Sequence, residues 1–187
     1  MAIRIFIDQG HNPKNPNAGA EGNGLKEQDI TYAVGQELAR LLRQNGNYEV
    51  MLSRNSPDEI LGSSNAESLR QRVEAANAFG ADYFISIHTN ASEIPSAQGS
   101  EAIVYNKDSA AIPLAESILQ GLAYATGFPD RGVYSRPTLY VLRRTKMPAL
   151  LVEIGFITNP EEAYLMRTNP GLFAAGIYNG IVNYFGF

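Results

Sequence analysis

Apolar residues recur along the 187-residue chain with two spacings, every second residue in some segments and every third or fourth in others. Residues 3–8 alternate isoleucines with other side chains, which is typical of a strand with one apolar face. Residues 27–44 have helical spacing, and Asn45-Gly46 ends this predicted helix. The apolar face of the helix comprises Ile30, Val34, Leu38, Leu41 and Leu42. The chain is therefore predicted to begin with a strand, a loop and a helix.

The remaining segments continue this alternation. Strands are predicted at residues 48–52, 83–88, 102–105, 139–142 and 149–152. Helices are predicted from residue 64, over residues 112–124, and from residues 159 and 169. Ser64 begins a capping-box sequence. An Asn-Pro pair, at residues 159–160 and again at 169–170, predicts an Asn cap followed by a first-turn proline for each of the last two helices. This order of elements predicts an α/β domain.

The composition is that of an ordinary globular protein and excludes several classes of function. Hydrophobic residues make up 44 % of the chain, and no apolar run approaches the ~20 residues of a membrane helix. The formal net charge is −4 without a basic cluster, so we expect no nucleic acid partner and no membrane insertion. A monomer is the default expectation. The sequence also lacks a phosphate-binding loop, a dinucleotide fingerprint and a Gly-x-Ser-x-Gly nucleophile sequence.

A metal site in this chain has few possible ligands. The sequence has no cysteine and only two histidines, so histidine, aspartate and glutamate must supply the ligands. His11 follows the first predicted strand after Gly10, and His88 ends the third. A lone histidine after a strand is usually a hydrogen-bonded structural residue. Here both histidines come at carboxyl ends of strands, which meet at one edge of a parallel sheet, so a shared metal site becomes the stronger hypothesis.

Two glutamates complete the candidate site. Catalytic zinc takes three protein ligands, and Glu27 begins the helix that follows the loop of His11. An acidic residue is also favoured at a helix start by the helix dipole, and position alone does not separate these two explanations. Glu153 follows an apolar strand, where a carboxylate needs a partner, and it is our candidate general base. The alternative is a salt bridge between Glu153 and one of three basic residues, Arg143, Arg144 or Lys146.

Four ordered segments resemble the zinc-dependent N-acetylmuramoyl-L-alanine amidases. They are Asp8-Gln9-Gly10-His11, residues 23–29, residues 86–91 and residues 152–159. Leu69, Arg72, Ala76-Asn77, Ala81-Asp82 and residues 140–143 also match, so the resemblance covers essentially the whole chain. The family's usual Asp-Pro-Gly-His-Gly-Gly is here Asp8-Gln9-Gly10-His11-Asn12-Pro13. We expect this departure to stiffen the loop and to affect substrate preference rather than metal binding.

The resemblance implies a fold, an activity and a set of site residues. The fold would be one twisted, mostly parallel sheet of about six strands with helices on both faces. Residues 1–187 would form a single catalytic domain that binds one Zn²⁺ through His11, Glu27 and His88, with Glu153 catalytic. The reaction would be hydrolysis of the amide between N-acetylmuramic acid and L-alanine in bacterial peptidoglycan, outside the cytoplasm. No export signal precedes the first strand, so we expect it to have been trimmed, or the chain to leave by a phage-lysin route.

Three further residues and three rival functions stay open. Asp8 is expected to orient a metal ligand or to serve the turn, and Asn90 to support the site or contact substrate. Arg131 would grip a peptide carboxylate or, as the preferred interpretation, form a structural salt bridge. The rivals are a zinc peptidase with the same ligands, a non-catalytic wall-binding module, and a purely structural zinc site. All four candidate ligand and catalytic residues are present, which disfavours the binding module.

Overall fold

In the computed structural model, which describes residues 2–187, strands and helices follow one another in nearly regular alternation. The strands are β1 (Ile3–Gln9), β2 (Glu21–Gly22), β3 (Leu25–Lys26), β4 (Tyr48–Leu52), β5 (Tyr83–Asn90), β6 (Ser100–Val104), β7 (Asp130–Ser135) and β8 (Ala149–Phe156). The helices are α1 (Glu27–Asn45), α2 (Asn65–Phe79), α3 (Ile112–Thr126), α4 (Tyr140–Arg144), α5 (Pro160–Thr168) and α6 (Pro170–Phe185). Met1 lies outside the described residues.

Six strands form one sheet in the order β4-β1-β5-β8-β6-β7. Every neighbouring pair is parallel except β6 and β8, which run antiparallel. Strands β2 and β3 form a separate small hairpin between β1 and α1. The prediction of a mostly parallel six-stranded sheet is therefore confirmed.

Two layers of helices cover the sheet, and they differ in extent. One face packs with α1, α3 and α6 in a large apolar core that includes Leu38, Ile118, Ile177, Leu150 and Val152. The opposite face packs with α2 and α4 in a smaller core. The smaller core contains Phe6, Val73, Phe84, Val141, Leu142 and Leu151. Because side chains alternate along a strand, each central strand contributes to both cores.

Local signals explain where most helices begin and end. The Ser64 side chain accepts a hydrogen bond from the Glu67 backbone amide at the start of α2, as the capping-box sequence predicts. The Asn159 side chain caps α5 in the same way. Gly46 follows α1 with a φ of 82°, the left-handed conformation that terminates helices. Asn169 precedes α6 without a side-chain cap, so the predicted repeat of the Asn cap is wrong there.

One predicted strand is a helix in the structure, and one strand of the sheet was not predicted. Residues 139–142 were predicted as a strand, but Tyr140–Arg144 form the short helix α4. A four-residue apolar run does not distinguish a strand from one buried turn of helix, and here Val141 and Leu142 pack against the smaller core. Strand β7 was missed because it is a largely exposed edge strand with a glycine and no alternating apolar pattern. The sheet thus has six strands, although one predicted member was wrong.

Within residues 2–187, none of the helices has the length and apolar character needed to cross a membrane.

Candidate metal centre

Three side chains from different parts of the chain converge near the carboxyl end of β5. His11 lies in the loop after β1, Glu27 is the first residue of α1, and His88 lies within β5. His11 Nε2 is 3.2 Å from one Glu27 carboxylate oxygen, and His88 Nδ1 is 3.0 Å from the other. Potential ligand atoms of all three residues lie within 4.8 Å of one another. The structure therefore brings together the three residues predicted as metal ligands.

Backbone amides fix the Glu27 carboxylate in this position. One oxygen accepts a hydrogen bond from the Ala20 amide at 2.9 Å, and the other accepts one from the Thr89 amide at 3.0 Å. Burial raises the pKa of Glu27, but hydrogen bonds with His11 and His88 outweigh it and leave the pKa well below its usual range. Glu27 is consequently ionised at neutral pH and suited to bind a cation.

Two glycines allow the chain to approach these side chains closely. A Cβ atom at position 10 would lie 2.6 Å from Cε1 of His88. A Cβ atom at position 19 would lie 2.7 Å from a carboxylate oxygen of Glu27. Both distances are too short for non-bonded atoms, so any larger residue would displace a candidate ligand.

The spacing of the three side chains fits a divalent metal ion. Zinc binds nitrogen and oxygen at about 2.1 Å, so neighbouring ligands of a tetrahedral ion are about 3.4 Å apart. The imidazoles lie 3.2 Å from one Glu27 oxygen and 3.0 Å from the other, which is close to this value, and each of the three residues offers a ligand atom within 4.8 Å of the other two. Three ligands of this kind leave a fourth position for water or substrate, as in catalytic zinc sites.

A buried arginine holds the loop that carries His11. The Arg72 side chain is 1 % exposed, and its guanidinium donates at 2.6 Å to the backbone carbonyls of Gln9 and His11. Residue His11 itself has a φ of 68°, which is unusual for a residue other than glycine. The hydrogen bonds from Arg72 on both sides of Gly10 stabilise this conformation. Arg72 thereby fixes the direction in which the His11 imidazole leaves the backbone.

Asp8 contacts this arginine rather than a metal ligand. Its carboxylate accepts hydrogen bonds from Arg72 at 2.6 Å and from the Ser86 hydroxyl at 2.7 Å. Burial raises the pKa of Asp8, but the charge of Arg72 together with the hydrogen bonds from Ser86 and Arg72 outweighs burial and lowers the pKa overall. Any influence of Asp8 on His11 therefore passes through Arg72, and a direct hydrogen bond to a ligand is not present among the described residues.

Asn12, where the family's usual sequence has glycine, ties the same loop to its surroundings. Its side chain is fully buried and bonds to the carbonyls of Pro16 and Leu61, while its oxygen accepts from the Leu61 amide. These three hydrogen bonds restrain the loop, as expected if the loop is stiffer than one with glycine at this position.

Glu153 lies directly beside His88 across the pairing of β5 and β8. The sequence predicts His88 as the last residue of its strand and Glu153 just after its strand, but the strands continue to Asn90 and Phe156, so both residues lie inside them. Burial is the main reason that the pKa of Glu153 is raised to about 7. His88 opposes this increase in the pKa, and the negative charge of Glu27 adds to it.

The surroundings of Glu153 leave its carboxylate available. Its Oε2 atom is shielded from solvent and has no hydrogen-bond partner among residues 2–187. The alternative of a salt bridge with Arg143, Arg144 or Lys146 is not observed in the described part of the chain. A buried carboxyl group with a pKa near neutrality is able to accept and return a proton at physiological pH.

A second buried carboxylate, Glu101, lies opposite Glu153 in the antiparallel pair of β6 and β8. It accepts a hydrogen bond from the side-chain amide of Asn90 at 3.1 Å and one from Arg131 Nε at 3.1 Å. Arg136 lies 3.8 Å from the same carboxylate. Arg131 thus forms a salt bridge with Glu101, in agreement with the preferred interpretation, and the side-chain amide of Asn90 binds the same carboxylate.

Arg72 and Glu101 are not among the predicted site residues, although each has a recognisable signal in the sequence. Arg72 follows Leu69 by three residues on the inner face of α2, where an unpaired charge would be costly. Glu101 directly precedes the predicted strand of residues 102–105 and belongs to it in the structure. A charged residue in phase with buried apolar positions is the common pattern.

An apolar cavity adjoins the candidate metal ligands on the side of α2 and α4. Its volume is about 120 Å³, and it reaches His11 and His88. Its apolar walls come from Leu69, Leu139, Val141 and Leu151. The site therefore has a polar side at Glu101 and an apolar side at this cavity.

Comparison with known proteins gives a consistent result. The model of the N-acetylmuramoyl-L-alanine amidase family matches residues 5–183. The N-acetylmuramoyl-L-alanine amidase CwlM of Bacillus licheniformis is 36 % identical over 187 residues, covering 98 % of this chain and 69 % of that protein. The sporulation-specific N-acetylmuramoyl-L-alanine amidase of Bacillus subtilis (strain 168) is 35 % identical over 185 residues, covering 96 % and 67 %.

Solved structures agree. The catalytic domain of CwlV, an N-acetylmuramoyl-L-alanine amidase from Bacillus (Paenibacillus) polymyxa var. colistinus, superimposes with a TM-score of 0.84. It is 31 % identical, and the match covers 98 % of both chains. The sequence match and the shared fold lead to one conclusion: the chain belongs to the N-acetylmuramoyl-L-alanine amidase family and is an enzyme.

Proposed function

We propose that this enzyme is a zinc-dependent hydrolase of the amide that joins the lactyl group of N-acetylmuramic acid to L-alanine in peptidoglycan. The observation that carries the proposal is the convergence of His11, Glu27 and His88 beside Glu153, whose Oε2 atom has no hydrogen-bond partner in the described part of the chain. Family membership supports the choice of bond. The donor set of two imidazoles and one carboxylate supports zinc, since it matches known catalytic zinc sites.

The residues of the chain divide the chemical work. A zinc ion, when bound, supplies polarisation of the scissile carbonyl and increased acidity of water. Glu153 accepts the proton of the attacking water as general base and returns it to the leaving amine nitrogen as general acid. Its pKa of about 7 suits both directions of transfer. His11, Glu27 and His88 hold the metal, and Arg72, supported by Asp8, holds His11.

Two of the three rival functions are less well supported by the site. A structural zinc favours four ligands rich in cysteine, and this chain has no cysteine. A wall-binding module has no need of a carboxyl group whose burial raises its pKa to about 7. A zinc peptidase has the same ligands, so the bond that is cut must decide between the two activities.

The deciding experiment uses purified peptidoglycan as substrate, with and without a chelator. We expect newly exposed amino-terminal L-alanine, its loss with chelator, and its return when zinc is added. New amino termini on other residues would replace the amidase proposal with peptide cleavage. No release from several wall types would favour the binding module.

A metal-content measurement tests the ligand assignment separately from activity. His88→Ala removes one of three ligands, so we expect the purified variant to retain little zinc at equilibrium with a competing chelator. Glu153→Gln is expected to bind zinc as the parent protein does. Normal zinc affinity in the His88 variant would contradict the proposed ligand set.

We also propose the setting in which the enzyme acts. Its substrate lies outside the cytoplasm, so it works at the cell wall or as a secreted or phage-released enzyme. Residues 1–187 act as one catalytic domain, since the helices of residues 2–187 surround a single six-stranded sheet. A monomer suffices, because the candidate ligands and Glu153 all come from one chain.

A further inference from the structure

Beside Glu153, two arginines share one buried carboxylate. Arg131 Nε lies 3.1 Å from a Glu101 oxygen, and the Arg136 guanidinium lies 3.8 Å from the other. The Glu101 side chain is only 8 % exposed, whereas those of Arg131 and Arg136 are 39 % and 55 % exposed. Arg131 is thus paired with Glu101 through Nε, whereas the Arg136 guanidinium stays more than half exposed on a chain whose formal net charge is −4.

The two arginines are held to different degrees. Arg131 also donates to the Gln98 carbonyl at 3.3 Å and stacks 5.1 Å from the centre of the Phe156 ring. For Arg136, the 3.8 Å approach to Glu101 exceeds hydrogen-bond distance, and no side-chain hydrogen bond is formed within residues 2–187. Arg131 and Asn90 satisfy Glu101, and the exposed Arg136 guanidinium keeps its donors free of hydrogen bonds to residues 2–187.

The strand pairing places this cluster within reach of one particular substrate group. Glu101 pairs directly with Glu153 across β6 and β8, so their side chains leave the backbone about 5 Å apart, and the Arg136 guanidinium lies 3.8 Å from the Glu101 carboxylate. An extended peptide spans at most about 3.6 Å per residue, so a carboxylate on the second residue is about 7 Å from the scissile amide. That residue of the stem peptide is a D-glutamate linked through its side chain, and its α-carboxyl group is either free or amidated.

We propose that Arg136, positioned beside the Arg131–Glu101 pair, binds the free α-carboxylate of the second stem-peptide residue and makes the enzyme prefer substrates that are not amidated there. This inference rests on the proposed function, and it adds a specificity-determining residue to it. Arginine suits the task because its planar donors match a carboxylate.

The test uses two soluble glycan oligomers that differ in one group. Both carry a tripeptide on N-acetylmuramic acid, L-Ala-γ-D-Glu-L-Lys in one and L-Ala-D-isoglutaminyl-L-Lys in the other, so the γ-carboxyl group is in a peptide bond in both. For the zinc-loaded full chain we expect kcat/KM to be about fivefold higher on the acid probe, the scale of an exposed ion pair. The preference should shrink as salt is added. Neither probe contains phosphate, so a preference cannot arise from binding of the arginines to a phosphate-containing wall polymer.

Two variants identify the arginine that is responsible. Arg136→Gln should bring the ratio of the two kcat/KM values to about one, since an exposed ion pair accounts for the whole preference. Arg43→Gln removes the same charge from α1, on the other face of the sheet, and should keep the parent ratio. The ratio is independent of how much of each variant is folded, because both probes meet the same active molecules.

Either of two results would overturn the inference: equal kcat/KM for the two probes with the parent enzyme, or a preference that survives Arg136→Gln. Failure of the proposed function looks different. In that case neither probe yields a new L-alanine amino terminus, with any variant.

Discussion

The two faces of the central sheet are built from alternate residues of the same strands, yet they serve different purposes. In β8, Leu150 and Val152 are fully buried in the larger core with α1, α3 and α6. Leu151 and Glu153 point to the opposite face, where α2 and α4 cover a smaller core. The first face, packed with α1, α3 and α6, is the covered face, and it stabilises the fold. The second face, packed with α2 and α4, is the open face, and it leaves the candidate site accessible.

The polar residues of the second face have an energetic cost that the first face avoids. Asp8, Arg72 and Glu101 are all nearly buried there, and buried ionic groups lose hydration that their mutual attraction only partly restores. The difference indicates that the larger core stabilises the fold sufficiently for the smaller one to accommodate charged groups. Three substitutions and the pH dependence of stability test this contrast.

The largest effect is expected for Glu153→Gln on the open face. The amide has nearly the shape of the carboxyl group but cannot accept a proton from water, so kcat should fall by about 10²- to 10⁴-fold. Zinc content and fold should be retained. Release of amino-terminal L-alanine from peptidoglycan measures the rate, and Glu161→Gln, an exposed residue at the start of α5, is the matched control. Activity within a few-fold of the parent would remove Glu153 from the mechanism.

The covered face should respond in the opposite manner. Leu150→Ala, three residues from Glu153, is expected to lower the free energy of unfolding by about 2–5 kcal/mol, because the side chain is fully buried and leaves a cavity. Urea unfolding measures the loss. The rate per folded molecule should stay near that of the parent, which active-site titration checks. A large loss of kcat with little loss of stability would show that the two faces are not independent.

This contrast also explains how much the sequence could predict. Apolar periodicity located α1, α3 and α6, because a fully covered face requires apolar residues at regular positions. The open face gives weaker signals: α4 was predicted as a strand, and edge strand β7 was missed. His11, His88 and Glu153 could be singled out because histidines are rare in this chain and a carboxylate in an apolar strand is conspicuous. Glu27 could be added because a third ligand is needed and the helix after the loop of His11 begins there. The roles of Arg72 and Glu101 depend on partners distant in sequence, which only the fold reveals.

The pH dependence of stability should reveal the energetic cost of the open face. In chelator-treated protein, the pKa of Glu153 is about 7 in the fold, above its ordinary value of 4.5. The unfolded chain therefore releases this proton first, and stability falls as pH rises from about 4.5 towards 7. Glu153→Gln lacks this loss. We expect the variant to gain up to about 3 kcal/mol on the parent between pH 5 and pH 8, measured by urea unfolding. A constant difference between the two proteins would show that the pKa is not raised.

The smallest effect is expected at Arg72, which links the buried charges of the open face to a metal ligand. Lysine keeps the charge but cannot donate to Asp8 and to the carbonyls of Gln9 and His11 together. Arg72→Lys should therefore weaken zinc binding about tenfold, the usual scale for a residue that orients a ligand. Competition with a chelator measures the affinity.

Val73→Ala distinguishes this positioning role from general destabilisation. Val73 is the neighbouring buried residue on α2, and its truncation removes apolar packing without touching the loop of His11. Its zinc affinity should equal that of the parent, even though the free energy of unfolding falls. If both variants weaken zinc binding equally, the loop of His11 depends on the packing of α2 as a whole. If only Arg72→Lys does, the hydrogen bonds of its guanidinium link the charged interior of the open face to the metal centre.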